Sequence, residues 1–207
     1  MLLLEKDPLN VIITGVGGQG NVLASQILGQ MLVQKGYVVT IGETYGASQR
    51  GGSVMSHLRI SHKDQFSPLI PQGLCDLVVG LEPVEALRVL GPYGNPGVLM
   101  IVNTRPIHPI DVISGDAQYP DLEQVLKEIR SLSRRLWTVQ ATDMALEMGD
   151  PLFSNIIMLG ALSATGILPL EREDLERILG ELFPPERIPA NLEAYDKGRE
   201  AVQEYSP

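Results

Sequence analysis

Two kinds of apolar pattern alternate along the first three quarters of the chain. Asn10 to Thr14 carries consecutive β-branched apolar residues, which predicts a strand covered on both faces, as in a parallel sheet. From Gly18 to Lys35 the apolar residues Leu23, Ile27, Leu28, Met31 and Leu32 recur at helical spacing, and Gly36 suits the C-terminal cap. Tyr37 to Ile41 is a second apolar run and a second strand. Strand, glycine turn, helix and strand form a βαβ unit, whose crossover is expected to be right-handed.

After Glu43 the pattern changes. Thr44 to Gly52 (TYGASQRGG) predicts a loop. Ser53 to Ser61 then alternates, with Val54, Leu58 and Ile60 on one face and Met55, His57 and Arg59 on the other. That is the signature of a half-buried strand, and with no crossover helix before it the strand should run antiparallel to its neighbours. Cys75 to Glu82 and Gly97 to Asn103 predict buried strands, separated by a short helix with Pro83 in its first turn. Asp121 to Arg130 is an amphipathic helix with Leu122, Val125, Leu126 and Ile129 on one face, and Thr138 to Thr142 is the last expected strand.

From Ala141 the periodicity is helical. One helix ends at Gly149, and Ser154 to Gly166 is apolar nearly all round, as a buried helix is. A third places Leu175, Ile178, Leu179 and Leu182 together, and Ala190 to Tyr205 forms a final polar helix. The expected fold is α/β over residues 1–207 as a single domain: a Rossmann-like, mostly parallel sheet with an antiparallel element and a C-terminal helical section.

Composition narrows the function. A chain of 207 residues with 44% hydrophobic and 20% charged residues has interior enough for a real core. A net charge of −9 and 5% aromatics oppose nucleic-acid binding, by phosphate neutralisation or by base stacking. The longest apolar runs, such as Val98 to Val102, fall far short of the roughly 20 residues that cross a bilayer. With no leader-like start, the expectation is a cytoplasmic protein without membrane contact. One cysteine, Cys75, allows no intrachain disulfide and no cysteine-held iron–sulfur cluster, and the three histidines lack zinc spacing. No metal site and no catalytic side chain is expected.

The sharpest motif is GVGGQG, Gly15 to Gly20, between the first strand and the first helix. Gly15, Gly17 and Gly20 have the G-x-G-x-x-G spacing that permits a tight turn, close approach to an anion and helix–strand packing. Glu43 ends the second strand at the distance where a dinucleotide enzyme places its ribose-binding carboxylate. Against NAD(P), the second half of the unit gives way to a loop and a β-strand, and no hydride-transfer acid or base is evident. A bare structural turn is the further alternative.

GVGGQGNVLASQILG, ETYGASQRGGSVMSHLRIS, SPLIP and DLVVGLEPVEALR together resemble the gamma-type domain of 2-oxoacid:ferredoxin oxidoreductases, with the look of the indolepyruvate-type branch. VNTRPI, YPDLE, NIIMLGAL and NLEAYDKG extend the likeness over nearly the whole chain. The resemblance implies a non-thiamine subunit of an enzyme that decarboxylates a 2-oxoacid oxidatively to an acyl-CoA and passes electrons to ferredoxin. It implies thiamine diphosphate and iron–sulfur clusters on a larger partner subunit, and CoA as co-substrate. On this reading the isolated chain is inactive, and the glycine turn binds no dinucleotide.

The surface implied to face ligand or partner comprises Gly15, Gly17, Gly18, Gln19 and Gly20 with Glu43, Tyr45, Gly46, Arg50, Gly51 and Gly52. Arg50 suits a CoA phosphate or a partner carboxylate, or it is a solvated loop arginine. Glu43 orients Arg50 or Tyr45, or stands in water. His57 and Arg59 lie at an interface or on a partly exposed strand face. Asn155 is expected to bond backbone near the glycine turn, and Cys75 to be a small buried residue. The rivals to this reading are an independent NAD(P)-binding oxidoreductase and a binding module without catalysis.

Overall fold

The computed structural model describes residue 4, residues 6–46 and residues 52–206. Strand β1 (Leu9–Val16) is buried along its whole length, as its β-branched core demands. Helix α1 (Asn21–Gln34) follows, then β2 (Val38–Tyr45) and β3 (Ser53–Ser61). After these come β4 (Leu77–Gly80), α2 (Pro83–Tyr93), β5 (Leu99–Asn103), the short α3 (Ile110–Ile113), α4 (Leu122–Ser131) and β6 (Arg135–Val139). Helices α5 (Ala141–Glu147), α6 (Ser154–Ala164), α7 (Arg172–Leu182) and α8 (Ile188–Ala201) complete the helical section, and β7 (Gln203–Glu204) closes the sheet.

The sheet has the order β2-β3-β1-β4-β5-β6-β7. β1, β4, β5 and β6 are parallel neighbours, while β3 pairs antiparallel with both β1 and β2. The β1-α1-β2 unit is therefore present, but β3 is slotted between its two strands. The alternating segment runs antiparallel as expected.

Its expected half-exposure is wrong. Leu58 and Ile60 face the layer of α1 and the C-terminal helices, and on the opposite face His57, Arg59 and Ser61 are buried while Met55 is half-buried. His57 is 0% exposed and Arg59 8%. The cover is the segment after β3. The Ile70 amide donates to His57 Nδ1 at 3.4 Å, and Tyr93 stacks edge-on at 5.1 Å. The Arg59 guanidinium lies 4.8 Å from the Phe66 ring, and its Nε donates to Asn10 Oδ1 at 3.0 Å. Pro68 crosses β2 where Gly42 leaves room, since a Cβ there would sit 2.8 Å from the proline. Burial holds the His57 imidazole below the usual histidine range.

Other boundaries shift for local reasons. α1 begins at Asn21 rather than Gly18, because Gly18 and Gly20 take φ of 107° and 81°, outside the helical region. It ends in a Schellman motif, with Gly36 N donating to Val33 O and Tyr37 N to Leu32 O. β2 continues past Ile41 to Tyr45, shortening the expected loop. The last parallel strand is Arg135–Val139, not Thr138 to Thr142, and Ala141 already starts α5. The final helix is polar only on its outer side: Leu192, Ala194, Tyr195 and Gly198 are buried against α6. Neither α3 nor β7 is evident in the periodicity; each is too short to carry one.

Candidate functional site

β1 leads through α1 to one side of the sheet, and β4 leads through α2 to the other, so the chain diverges between β1 and β4. In an open α/β sheet the crevice beyond the carboxyl ends of such strands is where ligands bind. The glycine turn forms one wall of that crevice and Leu81–Glu82 the other.

The turn is held by its own side chains. Gln19 Oε1 accepts from the Val16 amide at 2.7 Å, and Gln19 Nε2 donates to Leu81 O at 2.7 Å, across the crevice. Asn103 Nδ2 reaches the same Leu81 carbonyl at 2.9 Å from the β5 side and Thr142 Oγ1 at 2.8 Å. One carbonyl with two lone pairs thus ties together the ends of three parallel strands. A Cβ on Gly15 would stand 2.6 Å from Gln19 Oε1 and 3.0 Å from Leu81 Cβ. Behind the turn, Asn155 Nδ2 bonds Gly20 O at 3.5 Å, the backbone role expected for it, and a Cβ on Gly20 would meet that nitrogen at 2.3 Å.

Gln19 thus bridges the two walls, while α1 begins with no side chain capping its first amides. Gln19, 8% exposed, faces inward and bridges the walls rather than facing outward, as the sequence suggested.

The hairpin of β2 and β3 opens beside the turn. Gly17 N donates to Gly52 O at 2.9 Å, and Gly46 N to Ser53 O at 2.8 Å. Gly17, Gly46 and Gly52 are thereby brought to one edge. Tyr45, 59% exposed, donates its hydroxyl to Glu43 on the same face of β2, which raises the tyrosine pKa. Arg50 and Gly51 lie outside the described residues.

A residue the motifs did not single out anchors the other wall. Glu82 caps α2, with Oε2 accepting from the Glu85 amide at 2.8 Å. Its Oε1 accepts from the Tyr119 hydroxyl and from the Ile107 amide at 3.4 Å. At 1% exposure, burial lifts its carboxyl above the usual carboxylate range, against the pull of those donors. Glu82 thus fastens both ends of the segment that carries α3, whose Ile110 and Ile113 stand 81% and 74% exposed. The sequence signal was an acidic residue before proline at the end of an apolar strand, which by itself indicates only a helix cap.

Among the described residues, no three histidine, cysteine or carboxylate side chains group to hold a metal ion. Cys75 is fully buried, and burial pushes its thiol pKa up. No described helix is long and apolar enough to cross a membrane.

Residues 10–201 match the family described as pyruvate ferredoxin/flavodoxin oxidoreductase. The chain is 36% identical to indolepyruvate oxidoreductase subunit IorB of Pyrococcus horikoshii, covering 94% of this chain and 96% of that one. It is 37% identical to the subunit of the same name from Thermococcus kodakarensis, with the same coverage. Among solved structures, the pyruvate oxidoreductase subunit PORC of Thermotoga maritima superposes with a TM-score of 0.72 at 26% identity, over 97% of this chain and 100% of that one.

Proposed function

The chain belongs to the pyruvate ferredoxin/flavodoxin oxidoreductase family, and from that premise we propose that it is the smaller, non-thiamine subunit of a 2-oxoacid:ferredoxin oxidoreductase acting on aryl pyruvates such as indolepyruvate. The observation that carries this reading is the match to IorB subunits over nearly the full length of both chains. The activity belongs to a complex.

The single cysteine is sealed in the core, where it cannot serve an iron–sulfur cluster that takes several cysteine ligands. Thiamine diphosphate and the iron–sulfur clusters are assigned to a larger partner, with CoA as co-substrate and ferredoxin as acceptor.

What this chain contributes is shape and contact. The Gln19–Leu81–Asn103 links make the carboxyl edge rigid. On that edge stand Tyr45 with Glu43, the glycines 46 and 52, and the two isoleucines of α3. An exposed aromatic and exposed isoleucines at the rim of a fixed edge suit burial in a subunit interface.

Reconstitution tests the reading. With thiamine diphosphate and CoA supplied, indolepyruvate-dependent dye reduction is expected only when this chain and the larger subunit are combined. Tyr45→Ala and Ile110→Asp should leave the chain folded and weaken its retention by the larger subunit. Turnover by this chain alone, or full activity of the larger subunit without it, overturns the assignment.

A further inference from the structure

At the other end of the sheet, where the parallel strands begin, lies a cavity of about 520 Å³. That is within the roughly 300–1,000 Å³ of small-molecule sites. Leu9, Leu99, Trp137 and Ile167 give it an apolar lining. Among the described residues its charged groups are Lys6, Arg134 and Arg135 with one carboxylate, Asp76, a cationic balance in a chain whose net charge is −9.

Two of these cations are already matched. Lys6 Nζ is 2.5 Å from Asp76 Oδ1. Arg135 forms two bonds to Glu204, at 2.7 and 3.0 Å, while its guanidinium lies 4.4 Å over the Trp137 ring. Arg134 is different. Its backbone amide is fixed to Val98 O at 2.9 Å, yet among the described residues its guanidinium has no hydrogen-bond or ion-pair partner.

We propose that this cavity is a binding site for a small monocarboxylate with an apolar body, its carboxylate held by Arg134 and its body against Leu9, Leu99, Trp137 and Ile167. One unmatched guanidinium fork complements one carboxylate in charge and geometry. A phosphate's second charge would have to draw Lys6 or Arg135 away from Asp76 or Glu204. The site is at the opposite edge from the proposed partner surface.

Trp137 is the only tryptophan of the chain, so its emission reports occupancy directly. Octanoate serves as probe for the full-length chain, with 1-octanol and octylammonium as tail-matched controls. Octanoate should shift Trp137 emission saturably and give a matching isotherm by calorimetry, whereas octylammonium should not bind. Arg134→Glu should weaken octanoate by about tenfold or more, the worth of one charge-assisted bond, and Arg134→Gln by less. Both variants alter an exposed side chain, and an unchanged circular dichroism spectrum verifies their folding. Equal binding of octanoate and octanol, unchanged affinity in the folded variants, or no binding of octanoate at all overturns the proposal.

Discussion

Gly20 shows how one residue position combines backbone and packing demands. Its φ of 81° disfavours any side chain, and a Cβ there would stand 2.3 Å from Asn155 Nδ2. Gly18 shares the left-handed backbone, at 107°, but has open space around it. Gly18→Ala should therefore cost only the conformational term, about 1–2 kcal/mol. Gly20→Ala should cost about 1–3 kcal/mol more, because the amide of Asn155 must also move. Denaturant melts of the two variants check this. In a double-mutant cycle with Asn155→Ala, the penalty at Gly20 should shrink toward that at Gly18. Additivity would show that Asn155 does not crowd Gly20. The glycine spacing was legible because a turn's backbone needs are local. The inward direction of Gln19 was not, since its acceptor on Leu81 is 62 positions away in sequence.

Among the elements, α6 and α8 cross with almost no gap. A Cβ on Gly160 would stand 2.0 Å from Tyr195 O, and one on Gly198 would stand 1.9 Å from Ile157 O. Each helix thus places its glycine against the other's backbone, and a carbonyl in a packed helix has little freedom to retreat. Alanine favours helix over glycine by up to about 1 kcal/mol, but here the clash wins. Gly198→Ala should destabilise by roughly 3 kcal/mol or more. Gly180 in α7 is exposed with nothing near its would-be Cβ, so Gly180→Ala should stabilise by about 0.5–1 kcal/mol. Thermal melts of the two variants should move in opposite directions. Sequence periodicity located both helices, yet the polar outer side of α8 hid its buried glycine, because a glycine carries no hydrophobic signal.

For the whole molecule, the placement of β3 decides what the sheet edge can do. Inserted between β1 and β2, it replaces the neighbour that a dinucleotide fold would supply there. The crevice between β1 and β4 is meanwhile bridged by Gln19. Calorimetry with NAD(H) or NADP(H) should accordingly show no association tighter than about 1 mM. Micromolar binding would mean that the Gln19 bridge opens, and it would favour an independent oxidoreductase.

Local patterns in the sequence determined the strand–glycine–helix start, the antiparallel sense of the Ser53 to Ser61 segment, the buried α6 and the amphipathic α4. These follow from periodicity, turn chemistry and connection length, all of which act between near neighbours. The paired glycine motifs also carried the family resemblance that the full-length matches bear out. Tertiary structure alone decided that His57 and Arg59 are covered, because the strap that covers them has no period of its own. It alone made Glu82 the fastening of α3, since Tyr119 reaches it from 37 positions further along the chain. It likewise placed Arg134 in one cavity with Trp137 at the far edge, without an ion-pair partner among the described residues. Side-chain direction and charge pairing depend on which distant segments the sheet order brings together, and that order is fixed only when the helices pack on both of its faces.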